Sequence, residues 1–287
     1  MKKFIFLTPV FNDWDNLKIL LEKIETNIEK LNFKFELIIV NDCSTNSNKI
    51  KFSTKKIKGI KIINLYENVG SQRAIALGLR FISEKFQNQD KVIIIDSDGQ
   101  DNPNIIPEII ELSEKNPDKI ITVNRMRRTE PLWFRILYEL HYYTLILFTG
   151  KKIRFGNFGL INVKNIKIML QKSDLWGAYP AAITKSFQDT IKIFRDRDKR
   201  YSGETKMNIR RLFLHSIRVF SIFKFRIFFS SFIYSSIFYL LANKINELFY
   251  SLIPILVLGN ILTFATSLNY KKNFDFSFDR ILRNKEN

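Results

Sequence analysis

Lys91-Val92-Ile93-Ile94-Ile95-Asp96-Ser97-Asp98 is the stretch on which the fold turns. Its β-branched run is short and continuous, as expected of a strand buried on both faces of a parallel sheet, and it runs directly into two carboxylates. Residues i and i+2 of an extended segment point to the same side, so Asp96 and Asp98 are expected to converge at the strand's carboxyl end. Two like charges so close are unfavourable unless a cation sits between them. Hard oxygen ligands suit Mg²⁺ or Mn²⁺, ions that keep room for diphosphate oxygens. Alone the Asp-x-Asp pattern is ambiguous, because acidic pairs at strand ends also cap helices or face solvent.

Working outward, the same strand-and-helix alternation fills the first two-thirds of the chain. Residues 4–7, 35–40 and 60–65 are further apolar runs, the second ending in Asn41-Asp42-Cys43-Ser44-Thr45-Asn46. Leu17, Leu20, Leu21, Ile24, Ile28 and Leu31 recur at helical spacing, and residues 71–82 carry Ala74, Ile75, Leu77, Leu79 and Phe81 in the same way. This pattern predicts an α/β layer with a parallel sheet, in which ligands bind at the carboxyl ends of the strands. The start of the chain reads as a first strand rather than a signal peptide, since the run after Lys2 and Lys3 is short and Pro9 follows. Neither a GxGxxG nor a Walker A sequence occurs, so dinucleotide and P-loop sites are not supported. The lone Cys43 excludes an internal disulfide and an all-cysteine zinc site. A formal charge of +18 points to a polyanionic partner: nucleic acid, anionic lipid or phosphorylated substrate.

After about residue 220 the character changes. Residues 227–243 form a 17-residue stretch without charge and residues 248–268 another of 21. A bilayer core of ~30 Å needs about 20 helical residues; the second run qualifies and the first does so if Lys224 and Arg226 reach back to the headgroups. Basic residues crowd both outer flanks, so positive-inside reasoning predicts a hairpin with both flanks in the cytoplasm. A buried helical pair of a soluble domain is the bland alternative. The expected organisation is a catalytic domain over 1–220, two transmembrane helices over 221–270 and a basic cytoplasmic tail over 271–287. Within the first, residues 132–149 are apolar and aromatic with Arg135, Glu139 and His141 interspersed, a composition that fits an interfacial helix and a packed core helix alike.

Five segments carry a family resemblance. Thr8-Pro9-Val10-Phe11-Asn12-Asp13, the loop 41–46, Asn68-Val69-Gly70 with Ala74 and Gly78, Asp96-Ser97-Asp98-Gly99-Gln100-Asp101-Asn102-Pro103, and the basic run from Arg197 to Met207 stand in the order found in family 2 glycosyltransferases. The last two are similar to the polyprenyl-phosphate branch, the dolichol-phosphate mannosyltransferase-like and bactoprenol glucosyltransferase-like enzymes. The resemblance implies a GT-A fold with a C-terminal transmembrane hairpin, a nucleotide-diphosphate sugar donor, Mg²⁺ or Mn²⁺, and inversion at the anomeric carbon. It further implies that Pro9, Phe11, Asp13 and Asn68 border the donor, that Asp42 recognises base or ribose, and that Asp96, Asp98 and Gln100 hold the metal. Arg125, Arg128, Arg197, Arg200 and Lys206 would bind phosphate and wall the acceptor, with Asp98 and Arg200 closest to the chemistry. The implied setting is the inner (cytoplasmic) membrane, multi-pass, with the catalytic domain facing the cytoplasm. The partners would be a polyprenyl phosphate or lipid-linked acceptor and membrane lipids, not nucleic acid; a homo-oligomer is left open.

The chain departs from the family pattern at Asn41, Cys43, Asn157 and Gly159. Relatives commonly carry Asp where Asn157 stands and Arg where Gly159 stands. An amide cannot act as a base, which an attacking sugar hydroxyl would need, whereas a lipid phosphate is already anionic at neutral pH. The departure therefore tilts the expectation toward a phosphate nucleophile. The competing readings are direct glycosylation of a surface polysaccharide or lipid-linked saccharide, and a non-enzymatic basic membrane or nucleic-acid-binding protein. The second of these leaves the ordered motifs unexplained and lacks a stacking-aromatic signature.

Overall fold

The computed structural model describes residues 2–46, 52–126, 132–203 and 209–281. Its strands are β1 (Lys3–Val10), β2 (Lys34–Asn41), β3 (Ile57–Asn64), β4 (Lys91–Ile94), β5 (Ile120–Arg125), β6 (Phe155–Asn162) and β7 (Thr190–Arg195). They form one sheet in the order β3-β2-β1-β4-β6-β5-β7. β1 pairs in parallel with β2 and β4, as β2 does with β3 and β5 with β7. The all-parallel expectation fails at one strand: β6 runs antiparallel to both β4 and β5. The physical reason is the return of the chain to the edge it left, since Phe155 at the start of β6 is paired with Asn124 near the end of β5. The reversal brings Gly156 and Asn157 to the edge where the parallel strands end.

Both faces of the sheet are covered. Phe4 and Phe6 point toward α1 (Trp14–Ile28), whose Leu17, Leu20, Ile24 and Ile28 are fully buried at helical spacing. Phe6 stacks on Phe35 at 5.9 Å between ring centroids. On the other face α2 (Ser71–Lys85) rests on Leu7 and Val40 through Gly78. Each such buried side chain stabilises the fold by roughly 1.5–3 kcal/mol relative to exposure. α3 (Ile106–Lys115), α5 (Val163–Leu170) and α6 (Tyr179–Ser186) complete this unit, which takes in the described residues up to 126, 154–203 and 276–281.

The second unit takes in the described residues 132–153 and 209–275, with α4 (Leu132–Thr149), α7 (Ile209–Ile222), α8 (Lys224–Lys244) and α9 (Leu252–Ile281) up to residue 275. α8 and the segment Glu247–Tyr270, which opens with a short 3-10 turn, are long and apolar enough to cross a membrane, with mean hydropathies of 1.5 and 2.0. Only 17% and 6% of their most apolar windows are buried, less than the core helix of a soluble domain would show. Together they fit the expected hairpin. Polar side chains on one stripe of α8 satisfy the orphan carbonyls at the end of α4: Arg226 donates to Thr149, Ser230 to Phe148 and Tyr234 to Leu147, at 2.8–2.9 Å. Lys224 donates to Ser267 Oγ, joining α8 to α9. Along α4, Trp133, Ile136, Leu140, Tyr143 and Leu147 form an exposed apolar stripe at helical spacing.

Candidate active site

The carboxyl ends of β1, β2, β4, β5 and β7 and the start of β6 share one edge, and the polar residues singled out in the sequence lie along it. β4 stops at Ile94, and residues 97–99 turn rather than continue extended. Asp96 and Asp98 are therefore brought together by a turn and not by strand alternation. Gly99 makes the turn with φ +81°, and a Cβ there would lie 2.4 Å from the ring of Tyr201. Asp98 Oδ1 closes it by accepting from the Gln100 N–H at 3.0 Å.

Three carboxyls share this corner. Burial, then the charges of Asp101 and Asp98, push the Asp96 carboxyl up to about 7, against the opposing pull of the Asn157 hydrogen bond and Arg125. Asp101 is raised by burial and pulled back by Arg125 and Arg197. Arg197 is lowered by burial and by the neighbouring Arg125, and held up by the carboxylates. Gln100 lines a small cavity with Asp101, Arg125 and Arg197. Its carbonyl accepts from the Asp198 N–H at 3.0 Å, and the Asp98 carbonyl accepts from Tyr201 N–H at 3.2 Å, so the strap 197–203 lies along the acidic turn. Arg200 fastens it with a forked contact: Nη1 to Asp98 Oδ2 at 2.9 Å and Nη2 to Asp13 Oδ2 at 3.0 Å. Asn16 adds to the closure, donating to Asp13 Oδ1 at 2.7 Å and accepting from Ser202 Oγ at 2.7 Å.

Among the described residues, no group of three or more His, Cys, Asp or Glu side chains is arranged to hold a metal ion. The donor chemistry nonetheless fits a hard divalent cation with few protein ligands. Asp96 and Asp98 offer carboxylate oxygens beside Asp101, and Mg²⁺ characteristically takes one or two carboxylates and completes its shell with water and phosphate.

On the other side of the edge, Pro9 lies past the last β4 pairing, Leu7 with Ile94, so its missing N–H removes no bond from that ladder. Asn12, at φ +51°, clips the β1 loop to the β2 loop: its N–H donates to Ser44 Oγ and its Oδ1 accepts from the Thr45 N–H. Asp42 is 3% exposed and spends its oxygens on the Val69 and Gly70 N–H groups at 2.8 and 2.9 Å. Burial raises its carboxyl, and those bonds and the Arg73 charge oppose the rise. Asp42 thus holds the loop that opens α2, and Asn68 Nδ2 donates to its carbonyl at 3.2 Å. Phe11 sits half-buried beside these loops. Arg128 and Lys206 lie outside the described residues.

The departures at 157 and 159 have structural grounds. Asn157, 7% exposed, donates from Nδ2 to both Asp96 oxygens at 3.0 and 3.2 Å, and its Oδ1 accepts from Gln72 at 2.7 Å. A Cβ on Gly159 would stand 2.3 Å from the Ile121 carbonyl oxygen, so no arginine fits this backbone. The sequence reading did not single out Gln72 or Asn16. Their only signal was position, in the first turn of a helix following a motif loop.

Comparisons with known proteins agree with this architecture. The family described as Glycosyl transferase family 2 matches residues 5–177. An uncharacterized glycosyltransferase of Synechocystis sp. is 27% identical over 211 residues, 71% of this chain and 64% of the relative. An undecaprenyl-phosphate 4-deoxy-4-formamido-L-arabinose transferase of Photorhabdus laumondii is 24% identical over 219 residues, 74% of this chain and 65% of the relative. The chain thus spans just under two-thirds of the length of these relatives. Among solved structures, glucosyl-3-phosphoglycerate synthase from Mycobacterium tuberculosis, in complex with Mn²⁺, UDP-glucose and phosphoglyceric acid, superposes with a TM-score of 0.56 at 13% identity, covering 78% of this chain and 79% of that one. With more than half its length matched by that family, the chain belongs to glycosyl transferase family 2, and the superposition agrees with a GT-A-like fold.

Proposed function

We propose that this chain transfers a sugar from a nucleotide-diphosphate donor to a polyprenyl phosphate at the cytoplasmic face of a membrane, with inversion at the anomeric carbon. The observation that carries the acceptor class is Asn157. At the position where a base would stand, the site has an amide whose donor side is committed to Asp96 and whose acceptor side is committed to Gln72. A phosphate nucleophile arrives ionised, so nothing need remove a proton from it. Its oxygen forms the new bond to the anomeric carbon as the bond from that carbon to the donor diphosphate breaks, and the electron pair leaves with the diphosphate. The names of relatives that act on undecaprenyl phosphate support this reading, as do the two exposed apolar helices, which would keep the chain at the surface where such a lipid presents its phosphate.

Asp96 and Asp98 would hold a Mg²⁺ or Mn²⁺ ion, which supplies charge neutralisation for the departing diphosphate. The loop of Pro9–Asp13, the start of the loop after β2 at Asp42 and the loop of Asn68–Gly70 would receive the nucleoside, with Asp42 acting through the loop it ties down. Arg200, Arg197 and Arg125 bring cationic donors to the same edge and would stabilise phosphate charge as it develops. The exposed apolar stripe of α4 would lie on the lipid surface. The test is mass spectrometry of lipid products formed by the purified protein from undecaprenyl phosphate, Mg²⁺ and a panel of nucleotide sugars. One donor should yield a polyprenyl-phosphate sugar, and the Asp98→Asn protein should yield almost none. No product from any donor, with the protein folded, overturns the proposal.

A further inference from the structure

The hydrogen bonds behind Asp96 have a polarity fixed by a group that cannot reverse. The backbone N–H of Tyr179, at the start of α6, donates to Gln72 Oε1 at 2.8 Å. A backbone N–H only donates, so Gln72 must present its Nε2 to Asn157, 2.7 Å from Oδ1. Asn157 must then turn its Nδ2 toward Asp96. The two amide orientations follow from this chain of partners, not from a free choice of oxygen and nitrogen. Three elements far apart in sequence, α2, β6 and α6, are spent on aiming one uncharged donor at one carboxylate. A cationic donor there would compete with a bound metal ion. An aspartate would add a further charge beside Asp96, Asp98 and Asp101 and would lose the donor.

We infer that Gln72 and Asn157 are positioning residues: through the Tyr179 N–H they fix the orientation of the Asp96 carboxylate so that it meets a divalent cation. This inference rests on the metal-site reading above. Partners that orient a ligand in this way typically contribute 10–100-fold to metal affinity.

The test uses the full-length protein in detergent and Mn²⁺ alone, with binding followed by loss of the free-ion electron paramagnetic resonance signal. Thermal unfolding monitors the fold. Gln72→Met keeps length and adds no charge but releases Asn157, and should weaken Mn²⁺ binding about tenfold at little change in unfolding midpoint. Gln72→Glu gives a decisive sign. Coulomb attraction alone would make an added carboxylate tighten cation binding. The introduced carboxylate would instead draw the Asn157 amide group away from Asp96, and binding should weaken. This second variant also carries the test if the methionine protein does not fold. Native affinity in either folded variant, or tighter binding by Gln72→Glu, overturns the inference and leaves the metal site standing. Failure of the native protein itself to bind Mn²⁺ overturns both.

Discussion

Replacing Arg200 with alanine should release the strap 197–203 from the acidic turn, and the structure sets the size of the effect. The guanidinium makes two charge-assisted contacts, 2.9 Å to Asp98 and 3.0 Å to Asp13, with the three side chains 18%, 14% and 16% exposed. Bonds of this kind are worth about 1.5–3 kcal/mol each when a partner is removed. The charges released here lie close to water and recover part of their hydration, so a net of about 1 kcal/mol per bond, about 2 in all, is the reasoned figure. The opening equilibrium of the strap should then rise about 30-fold. The N–H groups of Asp198 and Tyr201, bonded to the Gln100 and Asp98 carbonyls at 3.0 and 3.2 Å, report that opening directly. Their hydrogen exchange, followed by mass spectrometry of the peptide, should accelerate by about that factor. Arg200→Lys keeps the charge but cannot fork across both carboxylates, so about fivefold is expected. Native exchange rates in the alanine protein would refute the argument that Arg200 fastens the strap.

Further expectations follow from other parts of the molecule. Asp96, with its carboxyl near 7, must be ionised to bind a cation, so Mn²⁺ affinity should fall about tenfold per pH unit below that value and level off above it; a flat profile in a paramagnetic-resonance titration contradicts this. Ile255→Arg alters a side chain that is 64% exposed, a change worth within about 0.5 kcal/mol in water but about 2.5–3.5 kcal/mol in lipid. The variant should be recovered in the alkaline extract of membranes far more than the native chain, and equal retention contradicts a membrane-spanning α9. Gly159→Ala sets a Cβ 2.3 Å from the Ile121 carbonyl and should cost about 1–3 kcal/mol, seen as a lowered unfolding midpoint; an unchanged midpoint contradicts that packing.

What the sequence made legible was local. The run Val92 to Ile95 and its fellows announced strands because a strand buried on both faces must be apolar throughout, and the polar residues after them fell at the strand ends for the same reason. The two uncharged stretches announced helices because each is a continuous apolar run of about the length a helix needs to cross a bilayer. β6 was not legible: Gly156, Asn157 and Gly159 break its apolar run, and strand direction leaves no trace in periodicity. Asp96 and Asp98 were expected to meet by alternation and meet by a turn at Gly99 instead, because β4 ends two residues before Asp96. The partners that aim the site are separated by large distances along the chain: Arg200 from Asp13 by 187 residues, Asn157 from Gln72 by 85. One sequence without its fold holds no record of such pairings. For Asp42, the resemblance implied contact with the nucleoside, and the structure adds its bonds to the Val69 and Gly70 N–H groups.

The acceptor is the central claim, and a competition assay tests it most directly. Purified protein would receive its nucleotide sugar together with undecaprenyl phosphate, the unphosphorylated polyprenol and a lipid-linked saccharide in one reaction, with products resolved by mass spectrometry. The account predicts sugar on the lipid phosphate and none on the polyprenol, because Asn157 can take no proton from a hydroxyl while a phosphate brings its own charge. Sugar on the saccharide or the polyprenol, with the lipid phosphate untouched, would contradict it.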